Sequence, residues 1–333
     1  MLDPSTWQPA TLDTRQGPIL AVVIDTEEEF DWGRPVDRAS TGVASIRHQD
    51  RAQALFAEFG IVPTYVVDYP VASQPDGYGP LREFLADGAC EIGAHLHPWV
   101  NPPHEEPVCN LNSYPGNLPP DLEARKLEVL KKTIEDNFGR PVRAYRAGRY
   151  GVGRASTGIL RKLGFDVDSS VVPGSDFRRD EGPDFLACGP DPYWFGGNGE
   201  GRLLEIPVTA GYVGILGDAG KRLYWPLSGP LGQKFRIPGI LSRLGLLERI
   251  RLSPEGIPFD DLRRLTTALL GRGHRVFTIS YHSPSLDPGH TPYVRDRAEL
   301  DAFLDTLRRY FHFFLNDLGG RPMTLTQIRD AAS

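Results

Sequence analysis

The sequence has few cysteines, no long apolar run and no excess of basic residues. Its three cysteines, Cys90, Cys109 and Cys188, are odd in number and have no CxxC spacing. A disulfide framework is therefore not expected, and a reducing compartment is mildly favoured. No stretch of about 18 uninterrupted apolar residues occurs, so we predict no membrane span. Residues 1–10 lack the basic segment and apolar core of a secretory signal, which favours a cytoplasmic location.

The charge balance also excludes a class of partner. The formal net charge is −6 at pH 7 and the sequence pI is about 5.8. A nucleic-acid-binding surface usually shows a basic excess, so we expect no nucleic-acid partner. The 333 residues are enough for a large core, and the 36 Gly and 30 Pro are typical of an enzyme with long surface loops.

Short apolar runs alternate with amphipathic segments along the chain, and this alternation predicts a mostly parallel sheet covered by helices. The runs that we interpret as strands are 18–24, 61–67, 89–94, 142–145, 165–167, 203–208 and 276–280. We expect residues 1–17 to be an irregular lead-in and residues 18–330 to form one barrel-like domain. The pattern is least clear at about 211–256, where we expect an insertion on the substrate side.

Two carboxylates follow the first predicted strand. Asp25 and Glu27 are two residues apart, so in an extended segment their side chains point the same way. Both could reach one metal ion, or one could bind while the other acts as a base. Because Glu28, Glu29 and Asp31 follow, a solvated acidic loop is the alternative. In α/β barrels the active site lies at the carboxyl ends of the strands, which favours a functional site.

Two histidines follow the third predicted strand. His95 and His97 share a face by the same spacing, and they stand directly before Pro98-Trp99. Zinc sites in proteins take His nitrogen and carboxylate oxygen, so the pair indicates a metal site. The alternative is a pair of structural histidines. His104 is a weaker candidate ligand because it lies in a loose Pro-rich loop.

Further polar residues stand at other strand ends. Arg146 could orient a catalytic carboxylate through a bidentate pair, and a structural salt bridge is an equally good interpretation. Arg149 is a weaker candidate, and Asp168 fits a turn or helix cap as well as a site. His282 follows the last predicted strand, where a histidine can serve as a general acid.

These segments, in this order, resemble the polysaccharide deacetylase family, also named the NodB-homology domain or carbohydrate esterase family 4. The resemblance spans about residues 19–325 and implies a distorted (β/α)7 barrel of the NodB-homology type. It implies hydrolysis of N- or O-acetyl groups on sugars with a divalent metal ion, for which Zn²⁺ is favoured. The segments that carry it are Ile24-Asp25-Thr26-Glu27, Glu91-Ile92-Gly93-Ala94-His95, Arg146-Ala147-Gly148-Arg149-Tyr150-Gly151 and Tyr281-His282-Ser283-Pro284.

The resemblance implies that Asp25 is the general base, Glu27 and His95 are metal ligands and His282 is the general acid. The chain departs from the family pattern at three points. The adjacent Asp-Asp pair and the Pro of the Arg motif are absent. The second His of the family lies about one helical turn after the first, so in this chain His97 must serve instead.

We therefore expect a metal-dependent hydrolase that removes an acetyl group from a sugar or polysaccharide precursor. Two alternatives stay open: a C–N hydrolase acting on a small cyclic amide, and a non-catalytic carbohydrate-binding protein with a degenerate site. Aromatic residues could supply the flat surface on which a sugar ring stacks, or could be loop packing; these are Trp99, Tyr150, Tyr193 and Trp194. The sequence leaves the oligomeric state open.

Overall fold

The structure, a computed structural model, describes residues 7–195 and 202–333. Its strands are β1 (Gln8–Pro9), β2 (Ile19–Thr26), β3 (Thr64–Val67), β4 (Glu91–Leu96), β5 (Ala144–Ala147), β6 (Val167–Asp168), β7 (Tyr193–Phe195), β8 (Leu203–Glu205), β9 (Ala210–Val213), β10 (Glu248–Arg251), β11 (Val276–His282) and β12 (Arg321–Pro322). Within these ranges, no helix is both long enough and apolar enough to cross a lipid bilayer.

The α-helices lie between these strands and after them. They are α1 (Asp50–Glu58), α2 (Tyr69–Ser73), α3 (Pro75–Ala86), α4 (Pro120–Phe138), α5 (Ser156–Lys162), α6 (Lys221–Leu227), α7 (Pro230–Lys234), α8 (Ile237–Arg243), α9 (Phe259–Gly271), α10 (Arg297–His312) and α11 (Leu325–Ala331). Short 3₁₀ turns supplement them, and a π-helical turn at Phe313–Asp317 extends α10.

Seven parallel strands follow one another across the main sheet, in the order β8-β6-β5-β4-β3-β2-β11, and the two-residue β12 also pairs in parallel with β2. This arrangement confirms the expected distorted (β/α)7 barrel. Strands β7 and β1 continue the sheet in antiparallel pairing beyond β8. No pairing among the described residues joins β11 to the β1 edge, so the barrel is open on that side.

The apolar runs form strands because both of their faces are buried. All eight residues of β2 are buried. Leu20, Val22 and Ile24 pack in an outer cluster that includes side chains of the surrounding helices. Ala21 and Val23 alternate with them and pack in an inner cluster that contains side chains of other strands and of α11. A strand that is covered on both faces reads as a continuous apolar run.

The inner face of the barrel leads directly to polar side chains at the carboxyl ends of the strands. Val23, Val66 and Ala144 belong to the inner cluster. Two residues further along each strand, on the same face, come Asp25, Asp68 and Arg146. His95 follows Gly93 in the same way on β4, where a Cβ at Gly93 would approach Val66 Cγ1 to 2.8 Å. The strands therefore bring these groups to one mouth of the barrel.

The two ends of the chain and the segment 211–256 differ in detail from the sequence expectations. The lead-in contains the short strand β1. The last strand is the short β12, and Leu325 begins α11. Leu325 and Ile328 of α11 pack in the inner cluster, which explains their apolar character. The segment 211–256 contains the antiparallel pair β9–β10, with α6, α7 and α8 between the two strands.

A buried carboxyl on α4 predicts an unusual pH dependence of stability. Burial raises the pKa of Glu123 to about 7, against an ordinary value of 4.5, although Ser156 donates a hydrogen bond to it. Between about pH 4.5 and pH 7 the folded state therefore keeps a proton that the unfolded state loses, so the free energy of unfolding falls as the pH rises. Glu123→Gln should raise the free energy of unfolding by up to about 3 kcal/mol at about pH 8, and by little below about pH 4.5.

Denaturant unfolding at the two pH values checks this prediction. Glu128→Gln is the matched control, because Glu128 is exposed on the same helix. An equal change for Glu123→Gln at both pH values would contradict the assigned titration.

Candidate active site

Three potential metal ligands converge at the mouth of the barrel. His95 and His97 continue the inner face of β4, and Glu27 follows β2. The Glu27 Oε2 atom lies 3.8 Å from His95 Nε2 and 3.5 Å from His97 Nε2. One ligand atom from each residue lies within 4.8 Å of the other two, a spacing that suits a shared cation. All three residues are only 2 % exposed.

The electrostatics of this group favour a bound cation. Burial lowers the pKa of His95 to about 3 and that of His97 to about 4, so both imidazoles are neutral and can donate a lone pair. Burial and the neighbouring Glu28, Asp25, Asp68 and Glu255 raise the pKa of Glu27 well above its ordinary value. A divalent cation would offset this concentration of negative charge.

The ligand atoms of Glu27, His95 and His97 suit a zinc ion. Glu27 Oε1 is buried and has no hydrogen-bond partner. Such an atom is costly unless a ligand satisfies it. Two imidazole nitrogens and one carboxylate are a donor combination found in catalytic zinc sites, which keep a further position open. The residues present therefore fit a catalytic divalent ion.

The outer face of His97 is fixed by a second carboxylate. His97 Nδ1 lies 2.7 Å from Glu28 Oε2, and Trp99 Nε1 donates to Glu28 Oε1 at 2.7 Å. The Trp99 ring also stacks on His97 at 4.2 Å. Histidine ligands in metal sites are usually oriented in this way by a carboxylate. The arrangement directs His97 Nε2 towards Glu27.

Glu28, Asp68 and His97 form a second group with metal-ligand spacing. Its donor atoms already have other partners. Asp68 Oδ1 accepts from the Val71 amide and Asp68 Oδ2 from the Glu28 amide. Burial and the neighbouring Glu28 raise the pKa of Asp68 well above its ordinary value, as they do for Glu27, but of these two only Glu27 has a buried oxygen without a partner. We interpret the second group as a support for His97.

Asp25 is held by Arg146, which lies on β5. Arg146 Nη1 donates to Asp25 Oδ1 at 2.7 Å, and the Arg146 side chain is fully buried. Its other nitrogens donate to Ser169 O at 2.8 Å and Ser169 Oγ at 3.0 Å. Burial alone would raise the pKa of Asp25, but Arg146, His95 and His282 outweigh it and hold the pKa below its ordinary value. Asp25 is thus an ionised carboxylate beside the ligand group.

His282 lies on the other side of Asp25. Its Nε2 is 3.9 Å from Asp25 Oδ2, and its Nδ1 is 2.8 Å from Glu255 Oε2. Glu255 Oε1 also accepts from the His282 amide at 3.0 Å and from Ser285 Oγ at 2.6 Å. The ring packs edge-on against Trp32, with centroids 4.9 Å apart. These contacts fix the ring so that Nε2 faces the space beside Asp25.

One cavity of about 750 Å³, which has a partly aromatic wall, is lined by Asp25, Glu27, His95, His97 and His282. Its aromatic lining residues are Phe30, Trp32, Trp99, Tyr114, Tyr150, Phe177 and Tyr293. Trp99 and Tyr150 thus lie where a sugar surface was expected. Tyr193 and Trp194 do not: they are buried in β7, where Tyr193 stacks on Trp7 with centroids 4.1 Å apart.

The other sequence candidates do not join the group around Asp25 and Glu27. His104 is exposed and belongs to neither group with metal-ligand spacing. Arg149 lines the cavity but points to Asn110 and Ser113 rather than to Asp25. Asp168 is paired in register with Glu205 on the neighbouring strand and is not part of the lining.

Three acidic residues that support the candidate site were not predicted from the sequence. Glu28 was treated as part of a solvated acidic run, although its place directly after a buried strand was a usable signal. Asp68 directly follows the predicted strand 61–67, which was also a usable signal. Glu255 follows β10 in the segment with the weakest pattern, and no local signal connects it to His282.

Comparisons with known proteins agree with this architecture. A protein from Mycobacterium smegmatis, provisionally described as a polysaccharide deacetylase, has a TM-score of 0.55 at 16% identity, covering 97% of this chain and 92% of its own. A protein from Pseudomonas aeruginosa PAO1 with a similar provisional description has the same TM-score and identity, covering 95% and 91%. A 4-alpha-glucanotransferase from Thermococcus litoralis has a TM-score of 0.51 at 13% identity, covering 94% of this chain and 40% of its own.

At these identities the likeness establishes the fold, a distorted (β/α)7 barrel as in the NodB-type structures. No protein-family model and no curated protein matches the sequence. The glucanotransferase shows that this fold also carries other chemistry, so function must be argued from the site.

Proposed function

We propose that this chain is a divergent polysaccharide deacetylase, and that residues 18–330 act as one catalytic domain. It would remove an acetyl group from an N- or O-acetylated sugar or polysaccharide precursor. The observation that carries the proposal is the convergence of a carboxylate–arginine pair, a three-ligand group and a carboxylate-oriented histidine on one cavity.

The metal would be held by Glu27, His95 and His97. A divalent ion such as Zn²⁺ acidifies a coordinated water and polarises an acyl carbonyl. Glu28 and Trp99 would keep His97 in the orientation that this binding requires. The His95 ring is held in turn by the Arg146 carbonyl oxygen, 3.0 Å from its Nδ1.

The protein's own groups would move the protons. Asp25 Oδ1 is engaged by Arg146, which leaves Oδ2 to accept a proton from a nucleophilic water. His282 Nε2, which lies 3.9 Å from Asp25 Oδ2, would donate a proton to the departing amine or alkoxide. Glu255 holds the His282 ring in place during both events. A general base and a general acid in these positions suit acyl transfer to water.

The cavity wall suits a saccharide. Its rings present flat apolar faces, and Arg149 and Tyr150 add polar groups to the lining. Ligand cavities usually combine a mostly apolar lining with a few directed polar groups. A small cyclic amide would leave much of the cavity unfilled, so the wall favours the sugar substrate.

Acetate release tests the proposed reaction. The chain loaded with Zn²⁺ should release acetate from N-acetylated or O-acetylated oligosaccharides, and chelation should abolish the release and re-addition of Zn²⁺ restore it. Hydrolysis of cyclic amides but not of acetylated sugars would favour the C–N hydrolase. Saccharide binding with no turnover on any loaded metal would show a non-catalytic binding protein, and either result would overturn the proposal.

A further inference from the structure

Exposed apolar side chains are concentrated in one segment, far along the chain from the catalytic residues on β2 and β4. Of the eight large apolar side chains that are exposed among the described residues, six lie between 215 and 244. They are Ile215 at 80 %, Leu216 at 39 %, Leu223 at 53 %, Phe235 at 63 %, Ile240 at 49 % and Leu244 at 62 %. Contiguous exposed apolar surface usually marks an interaction site.

These residues belong to a helical layer, which we define as residues 214–247. It connects β9 to β10 and contains α6, α7 and α8, which pack against one another. Trp225 fastens the layer to the barrel, because its Nε1 donates to Gly174 O at 2.7 Å and to Tyr212 Oη at 2.9 Å. The exposed apolar side chains are therefore held outwards on a folded support.

Basic residues are interleaved with the apolar ones. The helical layer has five Lys or Arg residues and one acidic residue in a chain of formal net charge −6. Ile240 and Arg243 lie on α8, and Arg236 and Leu244 flank it as its N-cap and C-cap residues. All five basic side chains are exposed; they are Lys221, Arg222, Lys234, Arg236 and Arg243.

A basic cavity lies at the foot of the helical layer. It has a volume of about 620 Å³, and Arg179, Lys221 and Arg222 line it beside Trp225. The loop that supplies Arg179 also supplies Phe177 to the wall of the active-site cavity. This loop therefore contributes side chains to both the basic cavity and the active-site cavity.

We infer that the helical layer docks the protein peripherally on an anionic lipid surface. Its apolar side chains would enter the headgroup boundary, and its Lys and Arg side chains would face lipid phosphates. Exposed apolar side chains accompanied by exposed Lys and Arg suit the headgroup boundary of an anionic bilayer, which offers both apolar and negatively charged surface. The proposal is independent of the reaction proposed above.

Two other occupants fit the surface less well. In a symmetric dimer the same patch meets itself, so two sets of five positive charges would face each other. Another protein is disfavoured because the core of a protein–protein interface is depleted of charged residues, whereas here five basic side chains accompany the apolar ones. An anionic bilayer satisfies both the apolar and the basic component.

Vesicle co-sedimentation of the full chain tests the proposal. The probes are phosphatidylcholine vesicles, with and without phosphatidylglycerol. We expect binding that requires phosphatidylglycerol and weakens at high salt. Arg236→Gln/Arg243→Gln and Ile240→Ser/Leu244→Ser should each weaken binding by at least about tenfold. The matched controls, Arg140→Gln and Leu111→Ser, change exposed residues outside the layer and should bind like the parent.

The outcomes are separable because the substituted side chains are exposed, so circular dichroism and unfolding should change little. Absence of binding to both kinds of vesicle would overturn the proposal. Equal binding to neutral and anionic vesicles would also overturn it, since the basic residues would then have no role. A dimer in solution that Ile240→Ser/Leu244→Ser dissociates, without vesicle binding by the parent, would assign the layer to a second copy instead.

Discussion

Asp25→Asn is expected to lower kcat for acetate release by between about 10² and 10⁴-fold, the usual contribution of a positioned general base. An asparagine oxygen can still accept the hydrogen bond that Arg146 Nη1 donates at 2.7 Å, so the local arrangement should persist. What is lost is the capacity of the side chain to accept a proton. Steady-state kinetics of the Zn²⁺-loaded protein measure the effect.

The substitution also removes the charge that faces a fully buried guanidinium. Arg146 keeps its bonds to Ser169, but its net charge is no longer balanced by Asp25. Breaking a buried pair by neutralising one partner typically costs about 3–5 kcal/mol. Thermal unfolding must therefore show that the variant is folded at the assay temperature.

A matched control separates the base from a general charge effect. Asp180 lines the same cavity but belongs to neither group with metal-ligand spacing. Asp180→Asn should change kcat by less than about tenfold, since it removes no positioned proton acceptor. If Asp25→Asn and Asp180→Asn have equal effects, or if Asp25→Asn is fully active, Asp25 is not the base.

The inner face of the barrel explains why so much of the site could be predicted from the sequence. Strands buried on both faces have strong local signals, and their side chains alternate with a period of two. Asp25 and Arg146 continue the face of Val23 and Ala144. Once the strands are recognised, the convergence of their last inward residues follows from the parallel sheet.

The supporting groups depend on packing that the sequence does not display. Glu28 is buried because Trp99 and His97 close over it, yet in the sequence it stands in an acidic run like a solvated loop. Glu255 reaches His282 only because β10 leads the chain back towards the end of β11. No local periodicity in the sequence indicates either of these contacts.

The secondary structure around β9 and β10 was hard to predict from the sequence for a different reason. Its strands are four residues each, antiparallel and separated by three short helices, so no window is long enough for a clear period. The exposed apolar residues of α8 add to the difficulty, because a helix that shows Ile240 to solvent lacks the usual amphipathic pattern.

The second large effect concerns the metal ligands. Outer partners of metal-binding histidines typically contribute about 10–100-fold to metal affinity. Glu28→Gln is therefore expected to weaken Zn²⁺ binding within that range, since Glu28 orients His97 without supplying a ligand atom to the group. Loss of a direct ligand in His95→Ala should exceed it, at more than about a hundredfold.

Three measurements on His95→Ala decide the matter without an activity assay: metal content after dialysis, calorimetric titration with Zn²⁺, and the change in Tm on adding Zn²⁺. The parent should hold about one equivalent and gain about 2.7 kcal/mol of stability when the free ion is at about a hundred times Kd. His95→Ala should lose both effects. His104→Ala is the matched control, because that exposed histidine lies outside the ligand group and its removal should leave binding unchanged. Zn²⁺ binding that survives His95→Ala but is lost in His104→Ala would move the ligand set to the Pro-rich loop.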